Sequence, residues 1–182
     1  MDQKVKRINR ELKVQGAILD FYADTMELPD GKLEKWDFVS HRMGAAAVVP
    51  VLADGRILMV RQYRNALDRE TLEIPAGARN SKTEDTKICA ARELEEETGY
   101  RSENLQKILS LKTTVAFCDE FIDVYLAKDL KPGNQHLDEG EFINIEAYPL
   151  EELCQMISEG KLQDSKTVSG ILAYANLLHQ GK

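Results

Sequence analysis

The chain lacks several features that would assign it to a specialised class of protein. It has no apolar run approaching about 18 residues, so we expect no membrane-spanning helix, and its first residues are too polar to predict a signal peptide. Its three cysteines, Cys89, Cys118 and Cys154, are scattered and odd in number. Their spacing predicts neither a disulfide framework nor a cysteine metal site, and it favours reduced thiols in a cytoplasmic protein.

The chain also has no excess of basic residues. Its 24 lysines and arginines are outnumbered by 31 aspartates and glutamates, which gives a net charge of −7. This composition argues against nucleic-acid binding through a basic surface. With 182 residues, no internal repeat and no low-complexity linker, the chain is long enough for one well-packed core. We therefore expect a single soluble unit with no nucleic-acid partner and no membrane.

Three carboxylates in the middle of the chain, Glu93, Glu96 and Glu97, share one side of a predicted helix. Like charges at this spacing repel each other and weaken a helix by a few tenths of a kcal/mol per pair. A chain that keeps them indicates a bound cation, and oxygen ligands suit Mg²⁺, whose shell often includes substrate phosphates. Taken alone, the triplet leaves open the alternative of a charged helix face in solvent.

The ends of this acidic helix also have sequence signals. Ser81-Lys82-Thr83-Glu84 fits a capping box, which predicts Ser81 as the N-cap with Glu84 reaching back to it. Gly99 predicts the C-terminal end, because a left-handed glycine follows the last turn of many helices.

The residues around the triplet resemble the signature of the Nudix hydrolases. Glu84 is followed, after seven residues, by the pattern R-E-L-x-E-E-x-G over residues 92–99, and Gly77 stands upstream in the segment I-P-A-G. Six residues separate Gly77 from Glu84, whereas the family has five. The extra residue lies in a loop, where it costs little closure entropy, and capping is the stronger interpretation of Glu84.

Other segments are similar to the ADP-ribose pyrophosphatase branch of that family. They are V-R-Q-Y-R at 60–64, L-E-I-P-A-G at 72–77, D-E at 119–120 and G-E-F at 140–142, although residues 114–117 lack the branch's usual proline. The resemblance implies an α/β/α sandwich with a mixed sheet. It also implies a short N-terminal β region, residues 1–42, that exchanges across a homodimer, and a hydrolase domain over residues 43–182.

The hydrophobic pattern agrees with this mixed α/β class. A turn is predicted at Pro29-Asp30-Gly31, and a hairpin at Asp54-Gly55 that pairs 57–63 back onto 45–52. The predicted strands are 13–22, 35–41, 45–52, 57–63, 71–74, 107–113, 120–127 and 141–147, and the predicted helices after them are 150–158 and 165–178.

The metal ligands follow from the helix and from the resemblance. We expect Glu93 and Glu97, which are four residues apart, to be the principal ligands of Mg²⁺, with Mn²⁺ as the alternative ion. Glu96 is expected to be a third ligand or to bind through water. The resemblance implies that the backbone carbonyl of Ala76 completes the site. Arg92 is expected to orient a glutamate through a charge-assisted hydrogen bond, and a surface ion pair is the alternative.

A general base is expected outside the metal ligands, because a carboxylate bound to metal is a poor base. The acidic loop 138–141 is the candidate, since Gly140 offers a hinge that would let it close on substrate. By resemblance Glu141 is the first choice and Glu139 the second. The alternative is a solvated acidic loop.

Four residues are predicted to bind substrate. Trp36, the single tryptophan, lies in a polar setting where it could stack on a purine, and packing in the core is the alternative. Arg64 could contact a phosphate bidentately, Arg61 is a weaker candidate, and Glu73 could touch substrate or metal.

The sequence thus predicts Mg²⁺-dependent hydrolysis of a pyrophosphate bond in a nucleoside diphosphate derivative. ADP-ribose, cleaved to AMP and ribose 5-phosphate, is the first choice. A nucleotide sugar, a dinucleotide or a nucleoside triphosphate is the alternative substrate. A domain that only senses a nucleotide is the alternative outside catalysis, although the retained acids argue against it.

Overall fold

The N-terminal region forms a three-stranded antiparallel sheet in the computed structural model, which describes residues 4–137 and 139–181. Its strands are β1 (Lys6–Gln15), β2 (Leu19–Glu27) and β3 (Leu33–His41), with β2 in the centre. The predicted turn at residues 29–31 joins β2 to β3, and Gly31 takes a φ of +84° there. The predicted strand 13–22 is wrong, because a hydrogen bond from Gly16 N to Leu19 O (2.8 Å) closes a turn within it.

A mixed four-stranded sheet forms the centre of the molecule. Its strands, in spatial order, are β7 (Ala76–Ala78), β4 (Ala45–Pro50), β10 (Phe121–Lys128) and β9 (Asn104–Lys112). Only β4 and β10 run parallel to each other. Every residue of β4 is buried, which explains why its sequence is a continuous apolar run rather than an alternating one.

A second sheet contains β5 (Ile57–Arg64) between β12 (Asn144–Tyr148) and β6 (Arg69–Glu73). The predicted pairing of β5 back onto β4 is therefore wrong apart from a single bridge between Val51 and Ile57. Both edges of β4 are already occupied, by β10 and β7, so β5 must find other partners. The last strand begins at Asn144 rather than Glu141, which leaves Glu141 in a loop. Short strands β8 (Tyr100–Arg101) and β11 (Lys131–Pro132) pair separately.

Three helices complete the layers: α1 (Thr86–Thr98), α2 (Leu150–Ser158) and α3 (Ser165–His179). Helix α1 covers one face of the central sheet through Cys89, Ala90 and Leu94. Helices α2 and α3 pack into the core on the other face, where the buried side chains include Leu153 and Ile171. This arrangement is the predicted mixed α/β sandwich. The described residues contain no helix that is long and apolar enough to cross a membrane.

The start of α1 differs from the prediction. Its N-cap is Asp85, whose side chain accepts from Lys87 N (2.7 Å), and not Ser81. Ser81 and Glu84 do bond, through Glu84 N and Ser81 Oγ (3.1 Å), but they form a turn before the helix. The end is as predicted, because Gly99 has a φ of +69° and its N–H bonds to Glu95 O.

The loop before α1 is held by the side chain of Arg79. Its Nε donates to Met43 O (2.6 Å), and its Nη1 donates to the carbonyls of Lys82 (2.9 Å) and Glu84 (3.1 Å). The Glu84 carboxylate accepts from Asn80 N (2.6 Å). The residues between β7 and α1 therefore close on themselves and on the chain just before β4.

Candidate active site

Two of the predicted metal ligands lie buried where α1 packs against β7. Glu93 and Glu97 are 8% and 3% exposed, respectively. Glu97 Oε2 accepts from Ala76 N (3.0 Å). The Glu93 carboxylate lies against Gly77, where an added Cβ would stand 2.2 Å from its Oε1. A glycine is therefore required at this position, since any side chain would displace the carboxylate.

The pKa values of both acids are raised. Burial raises the pKa of Glu93 to about 7, against an opposing effect of Arg92, and the charges of Glu96 and Glu141 add to the rise. Burial and then repulsion from Glu93 raise the pKa of Glu97 to about 8. Two buried carboxylates that repel each other are the donors expected for a hard divalent cation, because its charge would offset both costs.

Arg92 joins the acidic residues to the loop before the helix. Its Nη1 donates to Glu93 Oε1 (2.6 Å) and to Glu96 Oε2 (2.8 Å), and its Nη2 donates to the Ala78 carbonyl (2.9 Å). Glu84 Oε1 lies 3.6 Å from Arg92 Nε. The sequence predicted that Arg92 orients one glutamate through a charge-assisted hydrogen bond. In the structure it bonds to two, Glu93 and Glu96.

Glu96 is placed differently from the other two acids. Its side chain is 37% exposed and forms an ion pair with Arg92, so it is not buried with Glu93 and Glu97. Among residues 4–137 and 139–181, no three Asp, Glu, His or Cys side chains are arranged as a ready metal site. The buried pair would therefore need further oxygen donors to complete a metal site.

A cleft of about 720 Å³ opens beside β7. It lies between the β5–β6 hairpin, the start of α3 and the ends of the central strands. Of the predicted site residues, Arg61, Arg64, Glu73 and Ala76 line it. Its other charged or titratable lining residues are His41, Arg69, Glu70, Glu120, Lys161, Asp164 and Lys166.

Both predicted arginines are held by carboxylates. Arg64 donates to Glu73 through Nε (2.8 Å) and Nη2 (2.5 Å), and Arg61 forms the same kind of bidentate pair with Glu146. Burial opposes ionisation of Glu73, but Arg64 and Lys166 outweigh it and lower its pKa to about 2. Glu73 therefore orients cations in this structure.

Two groups in the cleft were missed from the sequence. Lys166 and Asp164 stand in the segment D-S-K-T, which reads as an ordinary helix start, and Asp164 is indeed the N-cap of α3. His41 also lines the cleft. Its Nδ1 accepts from Gly44 N (3.1 Å), and its Nε2 lies 3.6 Å from Glu120 Oε1. The D-E segment at 119–120 was the available signal for this pair.

The candidate base residues lie in an exposed loop. Glu139 and Glu141 are both exposed, and Gly140 between them takes a φ of +89°. Glu141 is close enough to the buried acids for its charge to raise the pKa of Glu93 and of Glu97. Asp138, the first residue of the predicted acidic loop, lies outside the described residues.

Trp36 is not brought to the cleft of this single chain. It lies on β3, it is 45% exposed, and its Nε1 donates to Glu34 Oε2 (3.2 Å). It is absent from the described residues that line the cleft. The alternative of core packing is excluded by its exposure.

Comparison with known proteins places this site in a family. The sequence model of the NUDIX domain matches residues 41–169. The chain is 39% identical over 168 residues to an ADP-ribose pyrophosphatase of Bacillus subtilis (strain 168), a match that covers 91% of this chain and 90% of that protein. It is 40% identical to a methanol dehydrogenase activator of Bacillus methanolicus with the same coverage. An ADP-ribose pyrophosphatase of Mycobacterium tuberculosis is 33% identical over 91% of this chain and 81% of its own length.

A solved structure has the same fold. The crystal structure of an ADP compounds hydrolase superposes with a TM-score of 0.88, at 21% identity, over 98% of this chain and 97% of that one. The chain therefore belongs to the Nudix family, as a Nudix pyrophosphohydrolase similar to the ADP-ribose pyrophosphatases.

Proposed function

We propose that this protein is a Mg²⁺-dependent hydrolase that cleaves the pyrophosphate bond of ADP-ribose to give AMP and ribose 5-phosphate. The observation that carries the proposal is the buried pair of Glu93 and Glu97. The pair lies behind β7, beside a cleft that is lined by several arginine and lysine side chains. The relatives named ADP-ribose pyrophosphatase support this substrate over other nucleoside diphosphate derivatives.

Glu93, Glu97 and the backbone carbonyl of Ala76 would hold the metal, with Glu96 binding directly or through water. Mg²⁺, or Mn²⁺ in its place, would neutralise the phosphate oxygens and lower the pKa of a bound water. Arg92 keeps the Glu93 carboxylate turned to one side through its bond to Oε1. The Ala76 N–H does the same for Glu97, so both ligands are held in place before a cation arrives.

Glu141 would take the proton from the attacking water, with Glu139 as the second candidate. Both lie in the exposed loop around Gly140, which offers the hinge needed to bring a carboxylate over the cleft. The charge of Glu141 already acts on both buried acids, which supports it as the first candidate.

The substrate's phosphates would lie beside Arg64 and Arg61 in the cleft. Arg64 and Arg61 would contact its phosphates through the guanidinium edges that their carboxylate partners do not use. Glu73 would act on substrate through Arg64, because its own oxygens are occupied by donors from the protein.

We further propose a homodimer in which the N-terminal β region, residues 1–42, reaches the hydrolase domain, residues 43–182, of a second copy. The N-terminal sheet is largely uncovered in one chain, and its exposed side chains include Ile8, Leu12, Val14 and Phe21. Trp36, on the same sheet, would then stack on the adenine in the partner's cleft. The three free thiols fit a reducing compartment, and we assign the protein to the cytoplasm.

The function is tested by incubating the purified protein and Mg²⁺ with ADP-ribose, nucleotide sugars, dinucleotides and nucleoside triphosphates. We expect the highest kcat/KM for ADP-ribose, with AMP and ribose 5-phosphate as products. Glu141→Gln should lower kcat by at least about a hundredfold, as loss of a general base does, with Mg²⁺ affinity unchanged. Glu139→Gln is measured beside it to separate the two candidates, and the larger fall in kcat should occur in Glu141→Gln. Release of inorganic phosphate, or no turnover of any compound, would contradict the proposal.

The dimer has its own test. Light scattering should give twice the mass of a chain of 20.6 kDa. Trp36→Ala should raise KM for ADP-ribose about tenfold with kcat little changed, because stacking on a base is worth about 1–3 kcal/mol. Trp36→Phe, which keeps an aromatic ring, should lie close to wild type. A monomer with unchanged KM in Trp36→Ala would contradict this arrangement.

A further inference from the structure

Lys166 is a buried cation in the cleft that the proposed reaction does not use. It is the second residue of α3, it lines the cleft, and it is 7% exposed. Lysine is rarely buried to this degree unless it is paired. Its Nζ donates to Glu73 Oε2 (2.5 Å) and to Asp164 Oδ2 (2.9 Å), so it joins α3 to the end of β6.

The carboxylate of Glu73 has no acceptor site left over. Its Oε1 accepts from Arg64 Nε (2.8 Å) and Thr71 Oγ1 (2.6 Å), and its Oε2 accepts from Arg64 Nη2 (2.5 Å) and Lys166 Nζ. A carboxylate offers about four lone-pair sites, and all four are occupied. Glu73 therefore cannot rotate without losing a bond, and the plane of the Arg64 guanidinium is fixed with it.

The other partner of Lys166 is anchored just as firmly. Asp164 Oδ2 also accepts from Thr167 N (3.0 Å) and Thr167 Oγ1 (2.6 Å). Thr167 Oγ1 in turn accepts from Ile74 N (3.0 Å), next to the Pro75-Ala76 segment. Lys166 thus lies between Asp164, the fixed N-cap residue of α3, and Glu73, the carboxylate that orients Arg64.

We propose that Lys166 is a positioning residue for the phosphate contact of Arg64, an inference that rests on the proposed function. A substrate phosphate would bind the guanidinium edge of Arg64 that Glu73 leaves free, and the negative charge of Glu73 lowers the attraction of Arg64 for that phosphate. Because Lys166 shares the negative charge of Glu73, it weakens the hold of Glu73 on Arg64 while keeping the carboxylate in place. Without Lys166, Glu73 would lose one of its four hydrogen bonds, and its whole charge would be directed at Arg64.

A double-mutant cycle tests this role through KM and kcat for ADP-ribose in wild type, Lys166→Met, Arg64→Met and the double variant. Lys166→Met should raise KM about tenfold, the effect of about 1.4 kcal/mol. In the Arg64→Met background the same change should have little further effect, because Lys166 acts through Arg64. Lys161→Met, which removes an exposed cation of the same cleft, is the matched control and should leave KM unchanged.

A purely structural role would lower the melting temperature of Lys166→Met and leave KM alone, which would overturn the proposal. Equal effects of Lys166→Met in both backgrounds, or an equal effect of Lys161→Met, would also overturn it.

If Lys166→Met does not fold, Lys166→Gln replaces it in the cycle. If wild type hydrolyses none of the compounds, the proposed function fails, and the cycle is then read from ADP affinity by calorimetry. Unchanged ADP affinity in Lys166→Met, or no ADP binding by wild type, would then overturn this inference too.

Discussion

The metal-free protein is expected to lose stability as the pH rises, because Glu97 is buried beside another acid. In the unfolded chain its carboxyl ionises near the ordinary pKa of 4.5, whereas burial and the charge of Glu93 raise the folded pKa to about 8. Between these values the folded state keeps a proton that the unfolded state has released. The stability from this group is therefore fully present below about pH 4.5 and is lost as the pH rises to about 8.

The size of the effect follows from the shift. A rise in pKa from 4.5 to about 8 corresponds to roughly 4 to 5 kcal/mol of unfolding free energy, at about 1.4 kcal/mol per pKa unit. In a chain of 182 residues, about 1 kcal/mol changes the melting temperature by about 2–4 °C. We therefore expect the melting temperature in EDTA to fall by about 10 °C or more between about pH 5 and about pH 8. Mg²⁺ added at the higher pH should restore it.

Glu97→Gln separates this explanation from a general effect of pH. The amide still offers an oxygen to Ala76 N but carries no charge. In EDTA at about pH 8 the variant should melt above wild type, and it should no longer respond to Mg²⁺. Glu95→Gln, a change on the same helix beside Arg101, is the control and should behave as wild type does. A Glu97→Gln variant that melts at or below wild type under these conditions would refute the reasoning.

Three further changes have defined outcomes. Gly77→Ala places a Cβ 2.2 Å from Glu93 Oε1, so activity titrated against Mg²⁺ should show metal affinity at least about tenfold weaker; unchanged affinity would contradict the packing. Glu73→Gln should cost about 3 kcal/mol in denaturant unfolding at neutral pH, since its pKa of about 2 stabilises the fold above about pH 4.5. The difference in unfolding free energy between wild type and Glu73→Gln should narrow as the pH falls towards 2. A difference that does not change with pH would contradict the low pKa of Glu73. Arg92→Lys replaces the planar guanidinium, whose Nη1 and Nη2 bind two carboxylates and a carbonyl, by a single nitrogen that cannot occupy both positions, so kcat should fall at least about tenfold, and a fully active variant would exclude the orienting role.

The elements that the sequence predicted well are those whose signals are local. Helix α2 has the bounds that were predicted, and the left-handed Gly99 ends α1 as expected. The apolar run of β4 indicated a buried strand, and its residues are indeed covered on both faces. The side on which Glu93 and Glu97 lie also followed from helical periodicity alone.

The features that were missed depend on contacts between distant segments. One of the two partners of β5 is β12, which lies far along the chain, and a local hairpin signal cannot reveal it. The predicted capping box at residues 81–84 forms one of its two bonds, from Glu84 N to Ser81 Oγ, while the Glu84 carboxylate accepts from Asn80 N, and the helix begins only after Asp85. The sequence around Lys166 did not indicate a site residue, because its role depends on contact with Glu73, a buried residue 93 positions away.

The side chain of Arg79 has a consequence for how related proteins are found. Since its guanidinium closes the turn before α1 from within, this stretch gains a residue while both buried acids still face β7. A search that demands fixed spacing between the glycine and the first glutamate would pass over such chains. Enzymes with unchanged chemistry would then go uncounted because of a difference in the length of one surface turn.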